Sequence, residues 1–325
     1  MAYLTKKKIK GKKYIYFVKS VKTPDGKTEK LSKMLAGNEI KFSVKTLDKK
    51  YKNYFIEKEA ELNSKYAIRN FKTGLIFSKT EMQKLELTKI KYKNLIRRLS
   101  KEQVKDIFDR FTVNFTYNSN AIEGNSLTLK DVRIVINENS SVKGKDLREI
   151  YETRNSRKVV DLILNKKFDV SEKNIVKMHK MLMKDIDVRA GYKQLPNVIQ
   201  SMGREIQTTK PENVKKEMDS LISWYYGNKN EIHPLELAVI FHGKFEKIHP
   251  FEDGNGRVGR FLINIILIKN GYPPIIIRKS VRNAYMSCLQ AFDRSYEDKL
   301  KRFVIKKYKG TFEKFFEIYV KYVYS

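Results

Sequence analysis

The stretch that decides the fold is His249-Pro250-Phe251-Glu252-Asp253-Gly254-Asn255-Gly256-Arg257-Val258-Gly259-Arg260. It follows the largely apolar segment Leu235 to Ile248 and precedes the strongly apolar run Phe261 to Ile268. A polar, glycine-containing turn between two buried helices brings the free amides of the second helix to the turn. Together with the aligned peptide dipoles they can hold phosphate there. The GxxxxGK(S/T) signature of a P-loop is absent, so ATP would be held by another fold.

Each polar residue of the turn suits phosphorus chemistry. His249 can exchange a proton near neutral pH and accept one from a hydroxyl attacking phosphorus. Asp253 can hold Mg²⁺, whose charge organises phosphate oxygens. Gly254 and Gly256 permit a tight anion-binding turn, and Asn255 can orient that turn or donate to phosphate. Arg257 and Arg260, three residues apart on the following helix, carry guanidinium forks suited to a leaving pyrophosphate or a carboxylate. Together these groups favour phosphoryl or nucleotidyl transfer over hydrolysis through a serine or cysteine nucleophile.

The segment closely resembles the Fic-domain motif His-x-Phe-x-(Asp/Glu)-Gly-Asn-Gly-Arg-x-x-Arg. The resemblance implies a mainly α fold, a Fic-type helical bundle with a small β-hairpin flap at residues 193 to 203 that registers a target backbone. It implies AMP transfer from ATP to a protein Ser, Thr or Tyr hydroxyl, with His249 as base and Asp253 as magnesium ligand. The turn Gly254, Asn255, Gly256 would then bind phosphate, and Arg257 and Arg260 the distal phosphates. Gly191-Tyr192-Lys193 departs from the family pattern, in which an arginine follows the aromatic residue; lysine keeps the charge without the planar fork.

Ser119-Asn120-Ala121-Ile122-Glu123-Gly124 in turn resembles the inhibitory motif (Ser/Thr)-x-x-x-Glu-(Gly/Asn) of class II Fic proteins. Ser119 and Glu123 lie four residues apart, on one face of a helix. The resemblance sets Glu123 against Arg260, where it would block productive ATP binding, with Ser119 and Gly124 completing the inhibitory motif. Two other functions stay open: predominantly de-AMPylation through the same site, or a nucleic-acid-associated module with secondary Fic activity.

Outward from these motifs, apolar periodicity and caps predict helices over 106–122, 147–164, 171–185, 211–226 and 234–247. Thr128 and Asp131 form a capping box opening a further helix. Pro211 and Pro234 fit first helical turns. The segment 46–100, with Met82, Leu85, Tyr92, Ile96 and Leu99 at helical spacings, reads as two helices broken near Asn70 to Gly74. Tyr14, Tyr16 and Val18 alternate ahead of a Pro24-Asp25-Gly26 turn, which suggests an N-terminal β-hairpin. The expected organisation is a basic N-terminal region at 1–45, a helical extension at 46–105, a catalytic domain at 106–290, and a basic helical C-terminal extension at 291–325.

The formal net charge is +31, and the first fifty residues alone carry fifteen lysines against four acids. Such an excess attracts polyanions, so nucleic acid is an open partner beside the hydroxyl-bearing protein substrate, and charge alone does not choose among them. Related regulated proteins often form homodimers, a point on which this sequence has no deciding feature. A single cysteine, Cys288, excludes an intrachain disulfide. No run of eighteen apolar residues suggests a membrane span, and a cytoplasmic location is the expectation. His179, His233 and His242 read as structural or surface residues, and Arg282, Tyr285, Met286 and Leu289, at helical spacings, as a packing stripe in preference to a closure of the nucleotide pocket.

Overall fold

A computed structural model describes residues 2–72, 74, 76–164, 168–187, 189, 191–201 and 204–319. The chain divides into two compact units, Met1–Asn94 and Leu95–Ser325. The architecture is mainly α-helical with a small N-terminal β-sheet.

In the first unit the expected hairpin is a three-stranded antiparallel sheet, ordered β1 (Ala2–Ile9), β2 (Lys12–Lys22), β3 (Thr28–Met34). The added strand is β1, whose lysine run hides its alternation. Lys10 (φ 46°) and Gly11 (φ 79°) form the two-residue turn between β1 and β2, with positive φ at both positions matching the strand twist. Phe17 from β2 packs with Leu35, Leu47 and Phe55, its ring set edge-on to Phe55 at 5.5 Å. Leu47 and Phe55 belong to α1 (Val44–Lys50) and α2 (Lys52–Asn70), which precede α3 (Lys79–Ile96). The expected helix break therefore falls between α2 and α3, and residue 73 within it lies outside the described residues.

The second unit is a bundle. It comprises α4 (Lys101–Ile122), α5 (Leu129–Asn137), α6 (Leu147–Leu164), α7 (Glu172–Leu182), α8 (Pro211–Asn228), α9 (Pro234–Ile248), α10 (Asn255–Lys269), α11 (Arg282–Asp293) and α12 (Glu297–Thr311). The expected divisions at 105/106 and 290/291 fall inside α4 and α11. Between α7 and α8 the flap forms from β4 (Val198–Ser201) paired antiparallel with β5 (Arg204–Gln207). The flap tip, including Gly203, lies outside the described residues.

Local chemistry sets the helix ends. Ser100 and Gln103 close a capping box on α4, as do Thr128 and Asp131 on α5. Pro234 starts α9 at a position where no intrahelical N–H is lost. The hydrophobic centre is α10, buried from Arg257 through Leu267 and packed against α9, α4, α6 and α7. A helix buried all round must be apolar all round, which explains the run Phe261 to Ile268. The buried amide within that run, Asn264, is satisfied by the backbone of Ile275, donating to the carbonyl (3.1 Å) and accepting from the N–H (2.7 Å). Phe261 meets Phe115 of α4 with ring centroids 4.9 Å apart. Among the described residues no helix is long and apolar enough to cross a membrane.

Because Phe115 fixes α4 against α10, Phe115→Ala should lower unfolding free energy by about 3–5 kcal/mol, read as a reduced urea midpoint. An unchanged midpoint would show that this aromatic contact does not hold the bundle.

Candidate active site

Helix α9 ends at His249, whose backbone turns into the left-handed region (φ 51°, ψ 60°) while its N–H still closes the last helical turn on Phe245 O. A non-glycine residue costs energy in that conformation, and such strain persists only where the surroundings impose it. The turn is locked from within: Asn255 accepts from Phe251 N (2.9 Å) and donates to Phe251 O (2.8 Å). Phe251 is fully buried, stacked on His179 at 3.8 Å, and His179 Nε2 lies 3.0 Å from Asp253 O. The side chain of Asn255 thus closes the turn, and His179 is a packed structural histidine.

Gly254 (φ 83°) then caps α10, so the free amides of that helix face the loop. The space above them is filled by the Glu123 carboxylate. A Cβ built on Gly256 would collide with Glu123 Oε1 and lie 2.9 Å from Arg260 Nη1. Glycine here lets an anionic group approach the helix terminus, where the dipole favours it.

Arg260 is buried and reaches back to the end of α4. It donates through Nε to Ser119 Oγ (3.0 Å) and through Nη2 to Ser119 O (2.8 Å), and Nη1 pairs with Glu123 Oε1 at 2.7 Å. Gly124, at φ 104°, makes the turn that follows Glu123. Arg257 faces another way. Its Nη1 pairs with Glu152 on α6 (3.0 Å) and its Nη2 with Asp253 (3.3 Å). Asp253 also accepts from Arg148 Nη2 at 2.5 Å. Neither Arg148 nor Glu152 carries a sequence signal: 105 residues separate Arg148 from Asp253, and only the fold joins them.

The His249 imidazole is partly buried, with Nδ1 3.3 Å from Glu246 O. Donation from Nδ1 leaves Nε2 able to accept a proton. Burial, followed by the positive charge of Lys193, pushes its pKa down to about 4, so it is neutral at pH 7. Lys193 is itself buried, and burial pushes its ammonium down to about 8. Its Nζ donates to Asn197 Oδ1 (2.7 Å) and Thr208 Oγ1 (2.6 Å), at the two stems of the flap. Its backbone N–H donates to Pro250 O (2.9 Å), and Asn197 Nδ2 donates to Phe251 O (3.0 Å). The flap is thereby stitched to the turn bearing His249, and lysine does this where the family pattern has arginine.

A cleft of about 530 Å³ opens between these groups. Glu123, His249, Gly256 and Arg260 form its polar end, with Ile206 of the flap and Met286 and Leu289 of α11 along its sides. The stripe on α11 therefore borders the cleft: Tyr285, although buried, lines it together with Met286 and Leu289. Beneath the cleft, Tyr285 Oη meets His242 Nε2 at 2.7 Å, and His242 Nδ1 lies 3.8 Å from Glu246 Oε1. Burial pushes Glu246 up to about 8 and His242 down to about 3, so both are uncharged at neutral pH. No motif flagged Glu246; its signal was a carboxylate within a largely apolar helix.

The Fic/DOC family pattern matches residues 169–267, which take in α7, the flap, α8, α9, the turn and most of α10. Protein adenylyltransferase Fic of Nematostella vectensis is 34% identical over 179 residues, covering 53% of this chain and 41% of its own length. Protein adenylyltransferase fic-1 of Caenorhabditis elegans is 29% identical over 208 residues, or 62% of this chain and 40% of that one. The matched region thus spans about two fifths of these relatives. Among solved structures, a Fic domain containing signaling protein from Bacteroides thetaiotaomicron superposes with a TM-score of 0.67 at 25% identity, over 73% of this chain and 97% of that one. Residues 169–267 thus match the Fic/DOC family, and over about half of its length the chain is similar to protein adenylyltransferases.

Proposed function

We propose that this protein transfers AMP from ATP to a Ser, Thr or Tyr hydroxyl of another protein, releasing pyrophosphate, and that Glu123 restrains the reaction. The observation that carries this reading is the Glu123 carboxylate, which lies over Gly256 and pairs with Arg260 at 2.7 Å. It occupies the anion position at the end of α10, where the outer phosphates of ATP would otherwise be held.

The residues present fit magnesium and nucleotide. Asp253 is a hard oxygen donor beside the free amides of α10, and magnesium is commonly held by one or two carboxylates together with phosphate oxygens. When bound there, the ion would offset the charge building on the phosphate oxygens. Neutral His249 takes the proton from the attacking hydroxyl through Nε2. The hydroxyl oxygen bonds to the α-phosphorus as the bond to pyrophosphate breaks. Arg260, once free of Glu123, holds the departing phosphates, and Arg257 fixes Asp253 beside them. The flap, tied to the turn by Lys193 and Asn197, sets the incoming target segment beside His249. Hydrolytic removal of AMP would use the same cleft, with Glu123 orienting water, since both Glu123 and His249 border it.

Glu123→Gly should raise AMP transfer by roughly tenfold or more, within the usual range of coupling between an inhibitory and a substrate site. Incubation with ATP and Mg²⁺ followed by intact-protein mass spectrometry would read it as an AMP-sized adduct on the protein or an added acceptor. Adding His249→Ala should cut transfer by about 10²–10⁴-fold. Equal labelling with and without Glu123, or labelling that survives loss of His249, would refute the assignment.

The pH profile of the E123G protein should follow the groups around the cleft. His249 accepts a proton only when neutral, so transfer should be sustained above its pKa of about 4 and fall as pH drops through that value. Ionisation of Glu246 near pH 8 would place a new carboxylate beside Arg260 in competition with phosphate. Activity should therefore decline above that pH, and Glu246→Gln should remove this alkaline decline while leaving the acid limb in place. A decline unaltered by E246Q would assign it to another group.

A further inference from the structure

The turn-proximal part of the β1–β2 hairpin projects beyond the third strand. Strand β3 pairs with Tyr16 through Lys22, so residues 7–14 have only each other as sheet neighbours among the described residues. This two-stranded ribbon and its flank carry Lys6, Lys7, Lys8, Lys10, Lys12 and Lys13, all exposed, and no acidic residue precedes Asp25. Among the described residues no ion pair to any of the six is found. Lys7 instead lies over the Tyr16 ring, 5.2 Å from its centroid.

The pairing register distributes these charges over both faces: Lys6, Lys8 and Lys13 on one, Lys7 and Lys12 on the other. Lys8 and Lys13 are direct cross-strand partners. Like charges in that position destabilise a sheet, and a bound polyanion would relieve the cost. An anionic lipid surface meets only one face of a ribbon. A groove walled by phosphates meets both. The DNA major groove, about 12 Å wide, admits a two-stranded ribbon, whereas the major groove of duplex RNA is too deep and narrow for side chains to read. At about 3.4 Å per residue, three residues per strand extend about 10 Å before the Lys10-Gly11 turn, enough to enter such a groove.

We propose that the Lys6–Lys13 hairpin is a DNA-binding ribbon that enters the major groove of a duplex and contacts its phosphates from both faces. This function is independent of the chemistry at His249.

Fluorescence anisotropy of a labelled, mixed-sequence DNA duplex of about 20 base pairs, titrated with the full chain between about 50 and 200 mM salt, tests the assignment. The variant K6Q/K8Q/K12Q/K13Q should bind at least about tenfold more weakly, and its log–log salt slope should fall by about 3 to 4, near 0.9 for each phosphate no longer neutralised. The control K130Q/K143Q/K173Q/K216Q removes the same charge from exposed positions in the second unit and should stay within about twofold of wild type. Should the hairpin variant lose its fold by circular dichroism, K8Q alone removes the opposed pair and should lower the slope by about 1. Equal losses in hairpin and control variants would mean diffuse attraction and overturn the proposal. So would absence of duplex binding, equal affinity for duplex RNA, or sedimentation with phosphatidylserine vesicles without DNA binding.

Discussion

A guanidinium buried in the middle of a helical bundle must have an anion or a full set of acceptors, because an unpaired buried charge costs several kcal/mol. Arg260 meets that demand with a divided shell. Ser119 supplies two fixed acceptors from the body of α4, whereas the charge partner is Glu123, at the helix end and about one third exposed. The two halves of the shell are thus unequal in mobility. Departure of Glu123 leaves Arg260 anchored but short of a counter-charge, next to the open amides of α10. An arginine so placed favours a second anion beside those amides.

The turn can present that site only because its backbone is over-determined. Asn255 closes it through both ends of its amide, Phe251 sits under His179, and the flap stem holds the carbonyls of Pro250 and Phe251. These contacts hold His249 in a left-handed conformation that an isolated chain would avoid. Packing energy spent around the turn therefore appears as orientation of one imidazole. Neutral Glu246 and His242 beneath it add no charge that would compete for Arg260 near pH 7.

Local signals in the chain made much of this legible. Thr128 with Asp131 marked the start of α5, Pro234 marked α9, and the glycine turn between two apolar runs marked the start of α10, whose free amides suit an anion. Strand β1 was obscured because lysines occupy both faces of its outer half, erasing the alternation by which strands are recognised. The partners of Asp253 and Arg257 were equally hidden, since Arg148 and Glu152 lie on an exposed-looking helical stretch and acquire meaning only when α6 packs against α10. Lys193 read as a departure from the family arginine. Its neighbours explain why lysine suffices: the acceptors Asn197 and Thr208 are two single oxygens rather than a planar carboxylate.

Arg257 and Arg260 are one turn apart in sequence but differ in what they can do. Arg257 sits in a ring with Glu152, Arg148 and Asp253, two cations and two acids whose formal charges cancel. Of these, Arg148 has the most exposed side chain, so it is the member freest to swing out if a cation approaches Asp253. Its departure would leave Asp253 still aligned by Arg257 and by the N–H of Gly254. Arg257 thus keeps the carboxylate pointed at the end of α10 independently of Arg148. On the proposed function, a magnesium-nucleotide complex would have to displace two solvent-facing groups of opposite sign, Arg148 from Asp253 and Glu123 from the buried Arg260.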